Sequence, residues 1–551
     1  MRIEIKQKIM NKNVLAVLLL TAANMIFFLT IWLLNKYDKI ALDQVLFQMK
    51  SSAAGANRSI MNSAYVRVIG FGLVLTLAEI VLFQSIVGRW GPARLREKMH
   101  RHRFHASKIY RLVVRRVLPL TLALFVLSST VFVTALDVAD YLVTTATESD
   151  FIESHYVSPD DVAIIFPEQK RNLIYIFLES MENTFGEPEA GGNITANFID
   201  ELTELAENHV NFSHTSGLGG ALPYNGTTWT AAALVAQTSG VVVKVPLGAD
   251  NYGGDNAFIP GVISIGEILE GAGYTQTLLV GSDADFGGRA TYFADHGNYR
   301  IIDIKSLKEE GKLPMDYDEW WGFEDDKLFD FAKEEILRLA ESGEPFNFTM
   351  LTADTHFPDG YLCPDCGTEH DSQYGNVLAC SSLRVAELID WIREQDFYEN
   401  TTIVLVGDHL TMDPDFMEGL DEEYVRTIYN CIINAPIVPV QEKNRLFATF
   451  DMMPTTLAAL GVQIEGDRLA LGTNLFSDRM TLTEEYGYEI LDKELQKKST
   501  FYNTVFLGMT SSAEIDAGDA QRAVEQRFGA NGSAQSDRGG VNYYLSDMDV
   551  R

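Results

Sequence analysis

Three long apolar runs open the chain: Val14–Leu34, Val66–Val87 and Leu118–Val133. Each is close to the ~20 residues that an α-helix needs to cross a bilayer. They predict transmembrane helices over about 14–34, 66–87 and 117–135. The first run is too long for the apolar core of a signal peptide, and two more follow, so a cleaved leader is the poorer reading. The second contains Glu79, which in lipid needs a partner or an interfacial position. From residue 171 the pattern changes to short apolar runs alternating with longer stretches of helical period. The runs at 172–178, 275–281, 346–352, 401–407 and 427–434 predict strands. Most are apolar on both faces, as in a parallel sheet covered by helices. Helices are expected at Asn197–Asn208, Thr230–Thr238, Ser264–Ala272, Glu324–Glu341, Asn376–Glu394 and Met452–Leu460. The alternation implies a layered α/β domain with a mainly parallel sheet. The expected organisation is a membrane anchor over 1–136, a linker with a short helix over 137–165, a catalytic domain over 166–480 and a C-terminal extension over 481–551. That extension holds a Gly- and Ser-rich stretch at 529–540 that looks flexible.

Charge orients the anchor. Segment 88–116 carries ten Arg and Lys side chains against the single acid Glu97. Such a loop stays in the cytoplasm, and the basic N-terminus (Arg2, Lys6, Lys8, Lys12) lies on the same side. Three spans then place everything after about Leu136 outside the cytoplasm. The whole chain is at −32 while residues 1–135 hold 19 basic and 5 acidic side chains, so the exported part is strongly acidic. That excludes broad polyanion binding and argues against nucleic acid as a partner. A phosphate-bearing substrate would need a local metal to overcome the field. The four cysteines, Cys363, Cys366, Cys380 and Cys431, all lie in the exported part, where disulfides are the better reading of CPDC than half a zinc site. Three full pairings are open.

Ligands of open α/β sheets bind beyond the carboxyl ends of the strands. There, 172–178 ends in Glu179-Ser180, 346–352 in Ala353-Asp354-Thr355-His356, and 401–407 in Asp408-His409. Carboxylate and imidazole are donors for Zn²⁺ or Mn²⁺. Three protein ligands leave a position at which a hydroxyl becomes a usable nucleophile. The stretch GALPYNGTTWTAAALVA (220–236) offers Thr227, Thr228 and Thr230, although Thr228 also reads as a helix cap.

The segments NLIYIFLESMENTFG, GTTWTAAALVAQTSG, WWGFEDD, LTADTHFPDGYLCPDC, VGDHLTM and DMMPTTLAALG together resemble the phosphoglycerol transferases of the alkaline phosphatase/sulfatase-like superfamily. The likeness covers roughly residues 165–480, and lipoteichoic acid synthases and lipid A phosphoethanolamine transferases look like more distant relatives. It implies an alkaline phosphatase-like α/β domain behind an inner-membrane anchor, on the periplasmic side. It implies Thr227 as nucleophile and metal-facing hydroxyl, and Glu179, Asp408 and His409 as ligands of one divalent ion, Mn²⁺ first and Mg²⁺ or Zn²⁺ otherwise. His356 is implied to contact substrate and assist catalysis, with Arg289 and Trp321 as further substrate contacts. Where the lipoteichoic acid synthases have Phe-Trp-Asn-Arg, this chain has Phe286-Gly287-Gly288-Arg289. The implied partners are phosphatidylglycerol as donor and a glycan or polymer as acceptor. The resemblance also favours Cys366–Cys380 as a disulfide. Phosphoethanolamine transfer is the runner-up. A sulfatase would need a Cys or Ser in a C/S-x-P-x-R context, which 227–231 lacks. A non-catalytic binding protein on the same fold would not need the full donor set.

Overall fold

The computed structural model describes residues 2–37, 40–51, 58–90, 103–246, 248–253, 256–317, 319–320, 322–414, 416–421 and 423–509. The chain divides into two compact units, one made of Met1–Leu42 and Asn57–Val143, the other of Asp43–Ala56 and Thr144–Arg551.

The first unit holds three helices long and apolar enough to cross a membrane, over Lys12–Lys36, Arg58–Phe83 and Val117–Ala135. They belong to α1 (Arg2–Lys36), to the helical run ending in α3 (Phe71–Trp90), and to α4 (Arg103–Ala135). Their outward positions are apolar, with Leu18, Val74 and Leu127 all well exposed, as lipid-facing residues are. Glu79 has its partner here: Asn24 Nδ2 donates to Glu79 Oε2 at 2.8 Å and to Thr76 Oγ1 at 3.0 Å. Much of the basic segment 88–116 lies outside the described residues.

The second unit is built on a six-stranded sheet: β1 (Asn172–Leu178), β2 (Thr275–Val280), β3 (Arg300–Ile302), β4 (Phe346–Leu351), β5 (Thr401–Gly407) and β6 (Asn430–Ile433). The order is β3-β2-β4-β1-β5-β6. All neighbours are parallel except β5 and β6. Every side chain of β1 is buried because both faces are covered. Ile174, Ile176 and Leu178 share a core with Leu328, Ile336 and Leu339 of α7 (Asp325–Ala340) and Val385, Leu388 and Ile392 of α8 (Gln373–Arg393). On the other face lie α5 (Thr230–Ser239), buried from Ala231 to Ser239, and α9 (Met452–Ala459). Tyr175 Oη reaches the carbonyl of Gln237 at 3.5 Å, and Gln237 Nε2 donates to the carbonyl of Gly407 at 2.9 Å, fixing α5 against the exit of β5.

The predicted strands and helices correspond to observed ones, and the structure adds the short edge strand β3. The segment expected as a linker is folded into this unit from Thr144 onward. Its Val157 N–H donates to Ala470 O at 2.9 Å, and Ile164–Ile165 pairs with Gln463–Ile464. The extension is likewise ordered through two helices, Leu482–Tyr486 and Tyr488–Gln496. The stretch 529–540 lies outside the described residues. Cys366 and Cys380 form a disulfide, and Cys363 and Cys431 are buried free thiols. With two of the three sulfurs around Cys363 bonded to each other, that cluster is not a metal site.

Candidate active site

β1 lies between β4 and β5, so the chain leaves the sheet at the centre from three adjacent strands. The pairing of Leu178 with Gly407 sets Glu179 level with Asp408. Donor atoms of Glu179, Asp408 and His409 lie within 4.8 Å of one another, and all three residues are buried. Asp408 Oδ1 accepts from the backbone N–H of Ser180 and of His409, both at 2.7 Å, while Oδ2 is buried with no hydrogen-bond partner. His409 Nδ1 is 2.8 Å from the carbonyl of Leu410. That fixes the tautomer and turns the Nε2 lone pair inward, 3.6 Å from Glu179 Oε1 and 3.5 Å from Asp408 Oδ2. Ser180 takes a left-handed backbone (φ 53°), so the chain turns sharply enough for its Oγ to donate to Glu179 Oε1 at 2.8 Å.

Burial, and then the Glu179 charge, push the Asp408 carboxyl up to about 7. For His409 burial acts downward, but Asp408 and Glu179 prevail and its pKa is raised. Two facing buried carboxylates, an orphaned Oδ2 and an inward imidazole lone pair are what a divalent cation satisfies. The residues therefore fit such an ion.

The threonine hydroxyls of the loop are placed differently from one another. The Thr227 hydroxyl is fully buried within its own turn, donating to the carbonyl of Tyr224 at 2.9 Å and accepting from the Tyr224 N–H at 3.0 Å. Gly226 makes that turn possible. It has φ +82°, and a Cβ there would lie 2.4 Å from the carbonyl oxygen of Val243. Thr230, three residues on, reaches the cluster: its Oγ1 is 3.4 Å from Glu179 Oε2 and 3.3 Å from His409 Nε2. It stands in the first turn of α5, where amide groups and the helix dipole favour an anion.

His356 is half-buried, with Nδ1 2.7 Å from its neighbour's carbonyl at Phe357. Burial lowers its pKa, although the Glu179 charge opposes this. Arg289 is buried, its guanidinium bonded to Ser282 Oγ and to the carbonyls of Asp283 and Phe286. Its pKa falls to about 10, chiefly through burial, with Glu179 and Asp408 among the charges acting on it. Trp321 lies outside the described residues. Its neighbour Trp320 stacks on Tyr361 and meets His356 edge-on. Asp354 lines a small cavity with Asp325, Tyr361, Cys363 and Arg384. Residues missed by sequence reading include Glu182, which accepts from Thr411 N–H at 3.0 Å and pairs with Arg426, holding the loop that follows His409.

A family model described as Sulfatase matches residues 171–462, more than half of the chain. Phosphoglycerol transferase I of Xanthomonas axonopodis pv. citri is 29% identical over 322 residues, covering 56% of this chain and 44% of the relative. The protein of the same name from Escherichia coli O6:H1 is 29% identical over 387 residues, covering 69% and 46%. The chain thus spans less than half the length of these curated relatives. Among solved structures, the phosphoethanolamine transferase EptA of Neisseria meningitidis aligns with a TM-score of 0.48 at 14% identity, covering 82% of this chain and 84% of that one. The lipoteichoic acid synthase LtaP of Listeria monocytogenes aligns with a TM-score of 0.44 at 16% identity, covering 59% and 80%.

Proposed function

The chain belongs to the sulfatase family, and on that premise we propose that it is a membrane-anchored phosphotransferase that moves phosphoglycerol from phosphatidylglycerol to an extracytoplasmic glycan or polymer, through a phosphothreonine at Thr230. The observation that carries this reading is the Thr230 hydroxyl at the start of α5, 3.3 Å from His409 Nε2 and 3.4 Å from Glu179 Oε2. The curated relatives support phosphoglycerol as the group moved. The apolar helices support a lipid donor, and the basic segment 88–116 supports an extracytoplasmic site.

Glu179, Asp408 and His409 would hold one divalent ion, Mn²⁺ by the family likeness, which when bound lowers the pKa of a nearby hydroxyl and offsets phosphoryl charge. Thr230 Oγ1 attacks the phosphorus of the donor in line, its proton passes to His356 Nε2, and diacylglycerol departs. His356 Nε2 hands that proton to the departing glyceride oxygen, and later takes the proton of the acceptor hydroxyl and returns it to the released Thr230 oxygen. That hydroxyl then displaces Thr230 from phosphorus. Arg289 balances the phosphoryl oxygens, where phosphoryl transfer places its charge. The amides of the first turn of α5 serve the same end.

The test is incubation of the full-length protein in detergent with head-group-labelled phosphatidylglycerol or phosphatidylethanolamine, followed by mass analysis of the peptide bearing 226–236. The glycerophosphoryl adduct is expected on Thr230. Thr230→Ala should lose the adduct and at least ~10³-fold in turnover. Thr227→Ala should keep the adduct and cost about 1–2 kcal/mol of stability through its lost turn bonds. An adduct on Thr227, or a fully active Thr230→Ala, overturns the assignment. An adduct formed only from phosphatidylethanolamine replaces the donor.

A further inference from the structure

Among the described residues, one element of the second unit comes from far away in sequence. Helix α2 (Leu42–Lys50) follows the first apolar helix and precedes the second. Asp43, Gln44, Phe47 and Lys50 share one helical face by their spacing, and Gln44 and Phe47 are buried. Phe47 is fully buried among the rings of Trp229, Tyr252 and Phe258, at centroid distances of 5.3, 5.6 and 6.2 Å. Gln44 Nε2 lies 3.4 Å from Sδ of Met412, three residues past His409. Lys50 Nζ donates to the carbonyls of Pro246 and Ala249 at 3.0 and 2.5 Å. Gly288 (φ +73°), just before Arg289, admits the Phe258 ring and the Tyr252 carbonyl where a Cβ would collide with both. Asp492 accepts from the backbone and side-chain nitrogens of Asn225 at 2.9 and 2.8 Å, at the base of the threonine loop.

Trp229 is the residue before Thr230, in extended backbone at the start of α5. Its indole N–H is buried with no hydrogen-bond partner. Packing rather than a polar tether therefore holds the ring, and Phe47 is one of the walls. Phosphoryl transfer depends mainly on positioning and electrostatics, and a misplacement of ~1 Å costs on the order of 10²-fold in rate.

We propose that α2 is a working part of the catalytic centre, with Phe47 a positioning residue that sets the Thr230 hydroxyl against Glu179 and His409 by bracing Trp229; this rests on the assignment of Thr230 above. The helix touches the segments on both sides of the cluster, 225–230 through Phe47 and 409–412 through Gln44. A catalytic domain cut away from this helix would keep its ligand residues and lose their alignment with the nucleophile.

The experiment compares the full-length wild type with Phe47→Ala and Phe47→Leu in phosphatidylglycerol-containing micelles, well below each melting midpoint. Initial rates against donor concentration are read alongside amide hydrogen exchange of peptides covering 226–236. Phe47→Ala should lose ~10–100-fold in kcat with KM within about threefold, and should exchange faster over 226–236. Phe47→Leu, which refills most of the volume, should recover to within about fivefold. A wild-type kcat in Phe47→Ala, or a kcat falling only in step with the folded fraction, overturns the proposal. If the wild type turns over no phosphatidylglycerol, the donor reading fails. The exchange data still decide, since unchanged protection over 226–236 in Phe47→Ala rejects the bracing role.

Discussion

Strands β1 and β4 run side by side, Phe177 paired with Leu351, and each releases an acidic residue just past its end: Glu179 and Asp354. Both carboxylates are buried and each has an acidic companion, Asp408 for Glu179 and Asp325 for Asp354. The outcomes differ. Glu179 and Asp408 face each other with His409 and Thr230 closing the group, and Asp408 Oδ2 is left unsatisfied. Asp325 is satisfied by the chain itself, accepting from the N–H of Ala353 at 2.7 Å and of Asp354 at 3.1 Å. Asp354 Oδ1 is likewise buried with no hydrogen-bond partner, and Arg384 lines the same small cavity. Burial, and then the Asp325 charge, hold the Asp354 carboxyl far above the ordinary range. A buried acid pair becomes a metal site when neutral donors and a nucleophile complete it, and a proton-holding pair when backbone amides satisfy one member and no such donor completes the other.

The largest effect that tests this contrast is loss of a ligand. Glu179→Gln or Asp408→Asn should lose bound divalent metal, read by elemental analysis, and more than ~10³-fold in turnover. Retention of both metal and activity would erase the distinction. Asp325→Asn should keep the metal but destabilise the fold by about 1–3 kcal/mol in denaturant melts, because an amide NH₂ would face a backbone N–H that the carboxylate now accepts from. Asp354→Asn should have the smallest effect on activity, with metal content unchanged and stability shifted by less than ~1 kcal/mol below about pH 4, where the folded and unfolded carboxyl both hold their proton. Its signature is in the pH profile. The folded Asp354 keeps its proton where the unfolded one has lost it, so its stabilising contribution is complete below about pH 4. It declines as pH rises toward the raised folded value, by up to ~1.4 kcal/mol per pH unit. Denaturant melts from pH 5 to 8 should therefore fall less steeply for Asp354→Asn than for the wild type. Equal slopes would mean that Asp354 is ionised in the fold.

The main strands, the helices that cover them and the three apolar helices are legible in the sequence because each rests on a local periodicity. Glu179 and Asp408-His409 are legible for a related reason. In a parallel sheet the residue after an apolar run stands at the ligand-binding edge, so sequence adjacency becomes spatial convergence. β3, at three residues, is too short to show as a run. The antiparallel direction of β6 leaves no trace, since burial on both faces looks alike in either direction. Which threonine meets the cluster was decided by the path of the loop: Gly226 turns Thr227 back onto Tyr224, and the helix starts three residues later. Nothing local to Asp43–Lys50 says that Phe47 will sit beside Trp229, because those residues are nearly two hundred positions apart. Sequence by itself determined the elements and the chemistry at strand ends, which depend on neighbouring residues. Tertiary structure decided which hydroxyl and which distant helix complete the site, because those contacts exist only once the chain has closed on itself.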